Sequence, residues 1–336
     1  MPTLLDVAKV AGVGVMSVSR VVNGTRKVSA ETERRVRAAI DRIGYQPNEA
    51  ARVLKGQRAH ILGLIVPDLA DPFFAACANA IQETARTAGY LTLMAASGHR
   101  EDVERQEAEI MLQRQIAGLI VIPSGTKNDY YQEAVRSGLP IVSLDRPLDH
   151  VDADAIVVDN RDASIRVTEH LISHGHRGIL CVADDETIFT RMERVAGYSQ
   201  AMRKAGLPIR LCTVGPTTGA LSDQLDFALN SMPAPTAIFA INDVLAVGIL
   251  HELQKRSLRI PDKMALIAFD DFEAASLVRP TVSVVKQPTA ELGKRAASLL
   301  LERLNKSGPP ELSRVVLPTE LVIRESCGCK TPRKKH

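Results

Sequence analysis

The first forty-five residues carry apolar positions at the spacing of short amphipathic helices. Thr3 and Asp6 form a T-x-x-D capping pattern before an apolar stretch that Gly12 ends. A second helix is predicted over residues 15–22, with valines on its inner face. A third is predicted over residues 32–43. The outer face of the second helix is small, hydroxylated and basic.

From Ile61 the chain changes to short apolar runs that alternate with longer amphipathic segments. The runs are uniformly apolar, as in buried parallel strands, and the segments between them have helical spacing. This alternation predicts an α/β fold with two successive lobes of parallel sheet and a cleft between them. The predicted strands are 61–66, 91–95, 119–122, 141–144, 156–158, 179–182, 237–240 and 265–269. The predicted helices are 73–88, 101–114, 129–137, 163–174, 195–205, 244–256 and 290–305.

Charge is distributed unevenly along the 336 residues. Residues 1–58 contain 11 Lys/Arg and 5 Asp/Glu, a net charge of +6, whereas residues 59–336 have a net charge of −3. A basic head on a mildly acidic body is typical of a phosphate-binding module attached to another domain. The sequence contains neither a signal-peptide pattern nor an apolar run of about 18 residues, so we expect a cytoplasmic protein that does not contact a membrane.

Catalytic, cofactor and metal motifs give weak signals. The sequence contains no phosphate-binding glycine loop, nucleophile elbow or H-E-x-x-H pattern, so we expect neither an enzyme nor a bound cofactor. Cys327 and Cys329, with His336 nearby, are more simply a tail than a metal site. We interpret His170, His174 and His176 as cations near a helix C-terminus, and therefore expect no metal.

The stretch 3–23, TLLDVAKVAGVGVMSVSRVVN, resembles the head motif T-L-x-D-V-A-x-x-A-G-V-S-x-x-T-V-S-R-V-L-N of LacI/GalR-family transcriptional regulators. Gly14 replaces the serine that usually caps the recognition helix, and Ser17 replaces a threonine. By this resemblance the second helix lies in the DNA major groove, where Arg20 contacts a guanine. The predicted DNA-binding residues of the head are Thr3, Leu4, Val15, Met16, Ser17, Ser19, Arg20, Asn23 and Tyr45. Of these, the hydroxyl and amide groups of Ser17, Ser19, Asn23 and Tyr45 are expected to contact phosphates.

The resemblance also implies the domain organisation. It places a helix-turn-helix head at 1–45, a hinge at 46–58, an effector-binding and dimerisation domain at 59–325 and a basic tail at 326–336. The chain would cross between lobes near 159, 287 and 318. In the hinge, Asn48 and Ala51 would face the groove and the partner, and Leu54 would enter the minor groove. The tail lacks the apolar heptads of a tetramer, so we expect a homodimer on a palindromic operator in double-stranded DNA.

Ligands of open α/β sheets bind beyond the carboxyl ends of the strands, where this sequence carries carboxylates, arginines, amides and phenylalanines. Such groups suit a polyhydroxylated ring, and several match the pattern of sugar-binding proteins of this fold. The candidate effector-binding residues are Asp71, Phe73, Phe74, Asp145, Arg146, Asp159, Arg191, Arg194, Asn242, Phe269, Asp270 and Gln287.

Several alternatives for the ligand and the function remain open. The expected effector is a sugar or sugar acid that releases a repressor of carbohydrate-metabolism genes from DNA. A purine sandwiched by phenylalanines, or a phosphorylated sugar if Arg191 and Arg194 both face the cleft, would instead act as a corepressor. A solute-binding protein without DNA function, or a cleft enzyme with a DNA-binding head, would show little salt-dependent DNA binding.

Overall fold

The computed structural model describes residues 2–23, 28–45, 60–184, 187–215 and 220–329. They form two compact units, residues 1–59 and 60–336, here called the head and the body. The head contains helices α1 (Leu4–Ala11), α2 (Val15–Asn23) and α3 (Ala30–Ile43).

Helices α1 and α3 begin and end where the sequence places a capping group. Thr3 and Asp6 form the full capping box of α1, and Gly12 closes the helix in the left-handed conformation at φ 61°. Arg35 of α3 donates to the carbonyl of Gly12 at 3.0 Å, which joins the turn to the third helix. Val18 and Val36 are fully buried between the helices. This small core gives α2 a fixed outer face.

The body consists of two α/β lobes, each built on a six-stranded sheet. The order in the first sheet is β11-β5-β4-β3-β1-β2, and in the second β12-β10-β9-β8-β6-β7. All neighbouring strands are parallel except β10 and β12, which are antiparallel. The strands are β1 (Ile61–Val66), β2 (Leu91–Ala96), β3 (Gly118–Val121), β4 (Ile141–Leu144), β5 (Asp154–Val158), β6 (Ile179–Ala183), β7 (Leu211–Thr213), β8 (Ala237–Ala240), β9 (Ala265–Phe269), β10 (Ser283–Lys286), β11 (Arg314–Leu317) and β12 (Glu320–Val322).

Helices connect the strands and cover the sheets. They are α4 (Pro72–Thr87), α5 (Glu101–Gln113), α6 (Tyr131–Arg136), α7 (Asn160–Ser173), α8 (Phe189–Lys204), α9 (Leu221–Leu229), α10 (Asp243–Lys255), α11 (Glu273–Leu277) and α12 (Thr289–Leu304). The chain leaves the first sheet after β5, returns to it after β10, and leaves it again between β11 and β12. The chain therefore crosses between the lobes three times.

Close helix packing within each lobe depends on glycine. A Cβ at Gly197 of α8 would lie 2.2 Å from the carbonyl oxygen of Arg161 in α7. A Cβ at Gly293 of α12 would lie 2.4 Å from the carbonyl oxygen of Cys77 in α4. Both helix pairs therefore approach more closely than any residue with a side chain permits.

The structure differs from the sequence predictions in three places. The prediction that 91–95 is a buried strand is wrong, because β2 lies at the sheet edge with Leu91 66% exposed. β7, β10, β11, β12, α9 and α11 were not predicted. Residues 326–329 are not a free tail, since Ser326 and Cys327 are almost fully buried in the second lobe.

Candidate functional site

A cavity of about 510 Å³ lies between the two lobes of the body. The loops and helix starts that follow β1, β2, β3 and β4 supply its wall on the first lobe, and those that follow β6, β8, β9 and β10 supply the wall on the second. Parallel strands place their carboxyl ends along the same edge, so side chains distant in sequence converge here. Its lining residues are Asp68, Ala70, Asp71, Pro72, Phe73, Phe74, His99, Ser124, Asp145, Arg146, Asp184, Ile188, Thr190, Arg191, Arg194, Asn242, Asp243, Val244, Asp270 and Gln287.

Two aspartates occupy equivalent places in the two lobes. Asp145 directly follows β4 and Asp270 directly follows β9. Both adopt a positive φ, 66° and 74° respectively, a conformation that costs a non-glycine residue free energy. The backbone therefore accepts strain at the two points where a carboxylate from each lobe enters the cavity.

Each of three arginines in the cavity is paired with an aspartate. Arg146 Nε lies 3.1 Å from Asp145 Oδ2. Arg191 Nε lies 2.8 Å from Asp184 Oδ1. Arg194 Nη1 lies 3.4 Å from Asp270 Oδ2. The aspartates therefore neutralise the positive charges of these three arginines within the protein.

Arg194 is held by several further contacts. It donates to the carbonyl of Ile241 at 2.7 Å and to Asn160 Oδ1 at 2.8 Å. Its guanidinium carbon lies 3.6 Å from the ring centroid of Phe269, a cation–π contact. Arg194 thus fixes β9, the start of α7 and the end of β8 around one buried cation.

Amide side chains complete the second-lobe wall. Asn242 caps α10 by accepting from the backbone of Leu245 at 2.8 Å, and it donates to Asp184 at 3.0 Å. Gln287 Nε2 donates to Asp270 Oδ1 at 2.5 Å. The amide oxygen of the same side chain, Gln287 Oε1, is buried without a hydrogen-bond partner among the described residues. An acceptor left unpaired at the cavity edge is a place where a ligand donor stabilises the complex.

The remaining aspartates of the cavity leave it with an excess of negative charge. Asp68, Asp71 and Asp243 line it and form no ion pair with any described residue. Burial raises the pKa of Asp71, of Asp145 and of Asp243, in the last case to about 6, and the neighbouring charge of Asp270 adds to each shift. These carboxyl groups are therefore better satisfied by a hydrogen-bond donor than by another anion.

The aromatic residues stand on one side of the cavity only. Phe73 and Phe74, at the start of α4, meet edge to face with ring centroids 5.3 Å apart. Phe74 is 4% exposed, whereas Phe73 is partly exposed. The described lining residues of the second lobe include no phenylalanine. One ring, Phe73, is therefore available to stack on a flat ligand face.

The predicted effector residues mostly meet in this cavity, but two do not line it. Phe269 is fully buried and one face of its ring is covered by Arg194, so it supports Arg194 rather than a ligand. Asp159 accepts hydrogen bonds from Thr319 and pairs with Arg166 at 2.8 Å, at a crossing between the lobes. The predicted residues that line the cavity are Asp71, Phe73, Phe74, Asp145, Arg146, Arg191, Arg194, Asn242, Asp270 and Gln287.

Sequence reasoning missed several lining residues that carry the same signal. Asp68, His99, Ser124 and Asp184 each follow a strand by one to three positions, exactly the places where other candidates were found. Their positions directly after a strand are therefore the sequence signal that identifies these residues.

Five of the predicted DNA-binding residues of the head lie on α2 with exposed or partly exposed side chains. Met16 is 69% exposed and Val15 38% exposed at the start of α2, and Ser17, Ser19 and Arg20 are partly exposed. Tyr45 is 8% exposed and packs in the head core, and its predicted phosphate contact stays a prediction. Thr3 caps α1, and Leu4 packs partly against the core. The side chain of Asn23 and the whole of Asn48, Ala51 and Leu54 lie outside the described part of the chain.

A helix-turn-helix head joined to a two-lobed binding domain defines a ligand-responsive DNA-binding protein. Residues 3–48 match the family model of bacterial regulatory proteins of the lacI family. Residues 59–324 match the model of periplasmic binding proteins and the sugar-binding domain of the LacI family. The chain belongs to the LacI family of transcriptional regulators.

Individual relatives extend over nearly the whole chain. The transcriptional regulator DegA of Bacillus subtilis is 33% identical over 334 residues, covering 96% of this chain and 97% of that protein. The crystal structure of the lac repressor dimer bound to operator and the anti-inducer ONPF has a TM-score of 0.80 at 26% identity, covering 97% of this chain and 99% of that one. A complex of the regulator CelR with cellobiose has a TM-score of 0.71 at 28% identity, over 97% of this chain and 100% of that one.

These relatives are regulators of transcription. Among the described residues, no helix combines the length and the apolar character that crossing a bilayer requires.

Proposed function

We propose that this regulator is a dimeric repressor that a neutral sugar releases from a palindromic operator. The choice of a neutral ligand rests on one observation, the pairing of every arginine among the described lining residues with an aspartate. Among the described lining residues, the paired arginines leave Asp68, Asp71 and Asp243 as the unbalanced charges. The binding of a phosphate or a sugar acid would add an anion beside carboxylates whose pKa burial already raises. A neutral polyol instead donates hydroxyl hydrogens to them.

The aromatic geometry also favours a sugar over a purine. A purine sandwich needs two facing rings, and Phe269 is withdrawn from that role by its full burial. Phe73 remains as a single platform, which suits the apolar face of a pyranose. The unpaired Gln287 Oε1 accepts one further hydroxyl. The cavity volume of about 510 Å³ is within the range of small-molecule sites.

The head supports operator binding through α2. Its first turn presents Val15 and Met16, which offer apolar contact to thymine methyl groups, and Arg20 supplies a guanine-reading donor. The lac repressor structure contains a dimer on operator DNA. By family likeness, two copies of this head read the two half-sites of a palindrome.

A thermal-shift screen of the full-length protein tests the ligand class. The panel contains neutral mono- and disaccharides, sugar acids, sugar phosphates and purines. A neutral sugar at about 100 times its Kd is expected to stabilise the folded state by about 2.7 kcal/mol and to raise Tm. Shifts confined to phosphates, acids or purines would refute the charge argument.

A variant pair separates the ligand function from the DNA function. Asp145→Asn is expected to weaken the sugar-induced Tm shift and to leave salt-dependent DNA binding intact. Arg20→Ala is expected to lose specific operator binding, measured by fluorescence anisotropy, with an unchanged Tm shift. Arg37→Ala is the matched control in the head, since Arg37 is 70% exposed and paired with Glu33. Operator affinity that survives Arg20→Ala would contradict the role of α2.

A further inference from the structure

Two short motifs that lie far apart in the sequence meet on the second lobe. His170 lies in the last turn of α7 and His174 is its C-terminal cap residue. Cys327 and Cys329 follow β12, and both are free thiols. Cys329 Sγ lies 3.1 Å from His170 Nε2 and 3.2 Å from His174 Nε2. Cys327 Sγ lies 2.9 Å from Cys329 Sγ. The metal-binding atoms of His170, His174 and Cys329 thus all lie within 4.8 Å of one another, and Cys327 Sγ lies beside the sulfur of Cys329.

The second imidazole is oriented by a hydrogen bond at its far side. His174 Nδ1 lies 2.8 Å from the carbonyl oxygen of His170, which accepts only from an N–H group. The proton is therefore on Nδ1, and the lone pair of Nε2 faces the sulfur of Cys329. A carbonyl that holds the outer ring nitrogen is the usual support of a metal-bound histidine.

The cysteine segment is equally well fixed. Ser326 donates to the carbonyl of Leu266 at 2.5 Å and accepts from the backbone of Ser283 at 2.8 Å. Gly328 has a φ of 78°, which turns the chain so that the cysteines on either side of it face α7. Cys327 is 1% exposed, whereas Cys329 is partly exposed. The cluster is therefore anchored at its inner end and reachable from solvent at its outer end.

We propose that His170, His174, Cys327 and Cys329 form a tetrahedral Zn²⁺ site that ties the C-terminal segment to α7. Zn–S bonds of about 2.3 Å and Zn–N bonds of about 2.0–2.1 Å separate tetrahedral sulfur and nitrogen ligands by roughly 3.5 Å. The observed sulfur–nitrogen separations of 3.1 and 3.2 Å need to open by only a few tenths of an ångström. The sulfurs of Cys327 and Cys329, 2.9 Å apart, need to open by roughly 0.9 Å to reach the separation of two tetrahedral thiolate ligands. Thiolate and imidazole ligands select zinc over magnesium or calcium.

Zinc binding follows a balanced exchange. The two thiols lose their protons to solvent as the two Zn–S bonds form, and the two neutral imidazoles each donate a lone pair. Metal binding therefore involves no oxidation. It clamps the C-terminal end of α7, whose first residue, Asn160, accepts from Arg194 in the cavity. The clamp and the cavity thus hold opposite ends of one helix.

Metal analysis of the full-length protein, purified without a histidine tag, tests the site. We expect one zinc per chain by inductively coupled plasma mass spectrometry. Replacement by Co²⁺ is expected to give the thiolate-to-cobalt charge-transfer band and the visible d–d bands of tetrahedral cobalt. Removal of the metal by a chelator is expected to lower Tm.

Variants identify the ligands. Cys329→Ser and His174→Gln are each expected to weaken zinc binding by more than the roughly 10–100-fold caused by outer-shell changes. His176→Gln is the matched control, because His176 contacts Thr236 Oγ1 at 2.9 Å outside the cluster, and it should retain the metal. Should Cys329→Ser fail to fold, His174→Gln at its exposed position gives the same test. The proposal is overturned if zinc-treated protein holds no metal, if the variants bind it equally, or if Cys327 and Cys329 form a disulfide instead.

Discussion

Replacing Arg194 by methionine isolates the contribution of its guanidinium to the body. Methionine keeps the unbranched stem and its packing beside Phe269 but removes all the donors. Asp270, the Ile241 carbonyl and Asn160 Oδ1 then lose a partner at 3.4, 2.7 and 2.8 Å respectively. The side chain of Arg194 is 5% exposed and that of Asp270 is 18% exposed, so water replaces the lost donors poorly.

The magnitude follows from these contacts. Removing one partner of a buried ion pair costs about 3–5 kcal/mol, because the other charge remains buried and uncompensated. We expect Arg194→Met to lower the free energy of unfolding of the body by that amount. A second change, Asp270→Asn, removes the orphaned charge, so the double variant should recover at least about 1 kcal/mol relative to additivity.

Urea unfolding followed by far-UV circular dichroism measures these free energies, since the chain contains no tryptophan for fluorescence. Arg161→Met is the matched control. Arg161 pairs with Glu193 at 2.7 Å on the outside of the same helix pair, and its side chain is 49% exposed, so the loss should stay below about 1 kcal/mol. Equal losses for Arg194→Met and Arg161→Met would show that burial does not decide the strength of these pairs.

Three further changes test other parts of the molecule. Burial raises the pKa of Asp243 to about 6, so the folded protein binds a proton at this carboxyl group more tightly than the unfolded chain does. The protonated group therefore contributes stability that is fully present below about pH 4 and is lost as the pH rises through 6. Asp243→Asn should therefore raise Tm near pH 8 and leave it unchanged near pH 4; a shift of equal size at both values would contradict the titration. Gly197→Ala places a Cβ 2.2 Å from a backbone oxygen of α7 and should lower the free energy of unfolding by about 1–3 kcal/mol. Gly206→Ala, where φ is 66° and the Cβ position is open, reports backbone strain alone. Calorimetry compares the stability losses of the two variants. At Gly14, where a Cβ meets nothing within 4 Å, serine should stabilise the head by a few tenths of a kcal/mol through capping of α2, and a lower head Tm would show that the turn excludes a side chain.

The interior strands of the body other than β10 follow from the sequence, because each is a run of apolar residues bounded by polar ones. The runs at β1, β4, β8 and β9 have the predicted bounds. Three edge strands, β7, β11 and β12, do not follow, and the edge strand β2 was predicted as a strand but wrongly as a buried one. β2 has alternating exposure yet an apolar sequence, and β11 and β12 are four and three residues long, too short for a periodic signal.

The cavity was predictable to the extent that strand ends locate it. The position after a strand fixes depth along the sheet, but the side to which a residue points depends on the alternation of the strand. Phe269 ends β9 and points into the core, whereas Asp270, one residue later, faces the cavity.

The histidine and cysteine motifs of the second lobe show a stronger limit of prediction from sequence. Each is unremarkable alone, and only the folded chain brings residues 170–174 and 327–329 together.

The arrangement of the cavity also bears on how a ligand would act on the lobes. Asp145 belongs to the first lobe and Asp270 to the second, and both are held in a strained backbone conformation. A sugar that accepts from Arg146 and donates to both aspartates has those partners at hydrogen-bond distance at only one lobe angle. Its differential affinity for that angle is the free energy available to change the state of the regulator, and a ligand that contacts one lobe alone supplies none. A competent effector must therefore reach across the cavity, so binding without release of DNA is expected for fragments that contact only Asp145 or only Asp270.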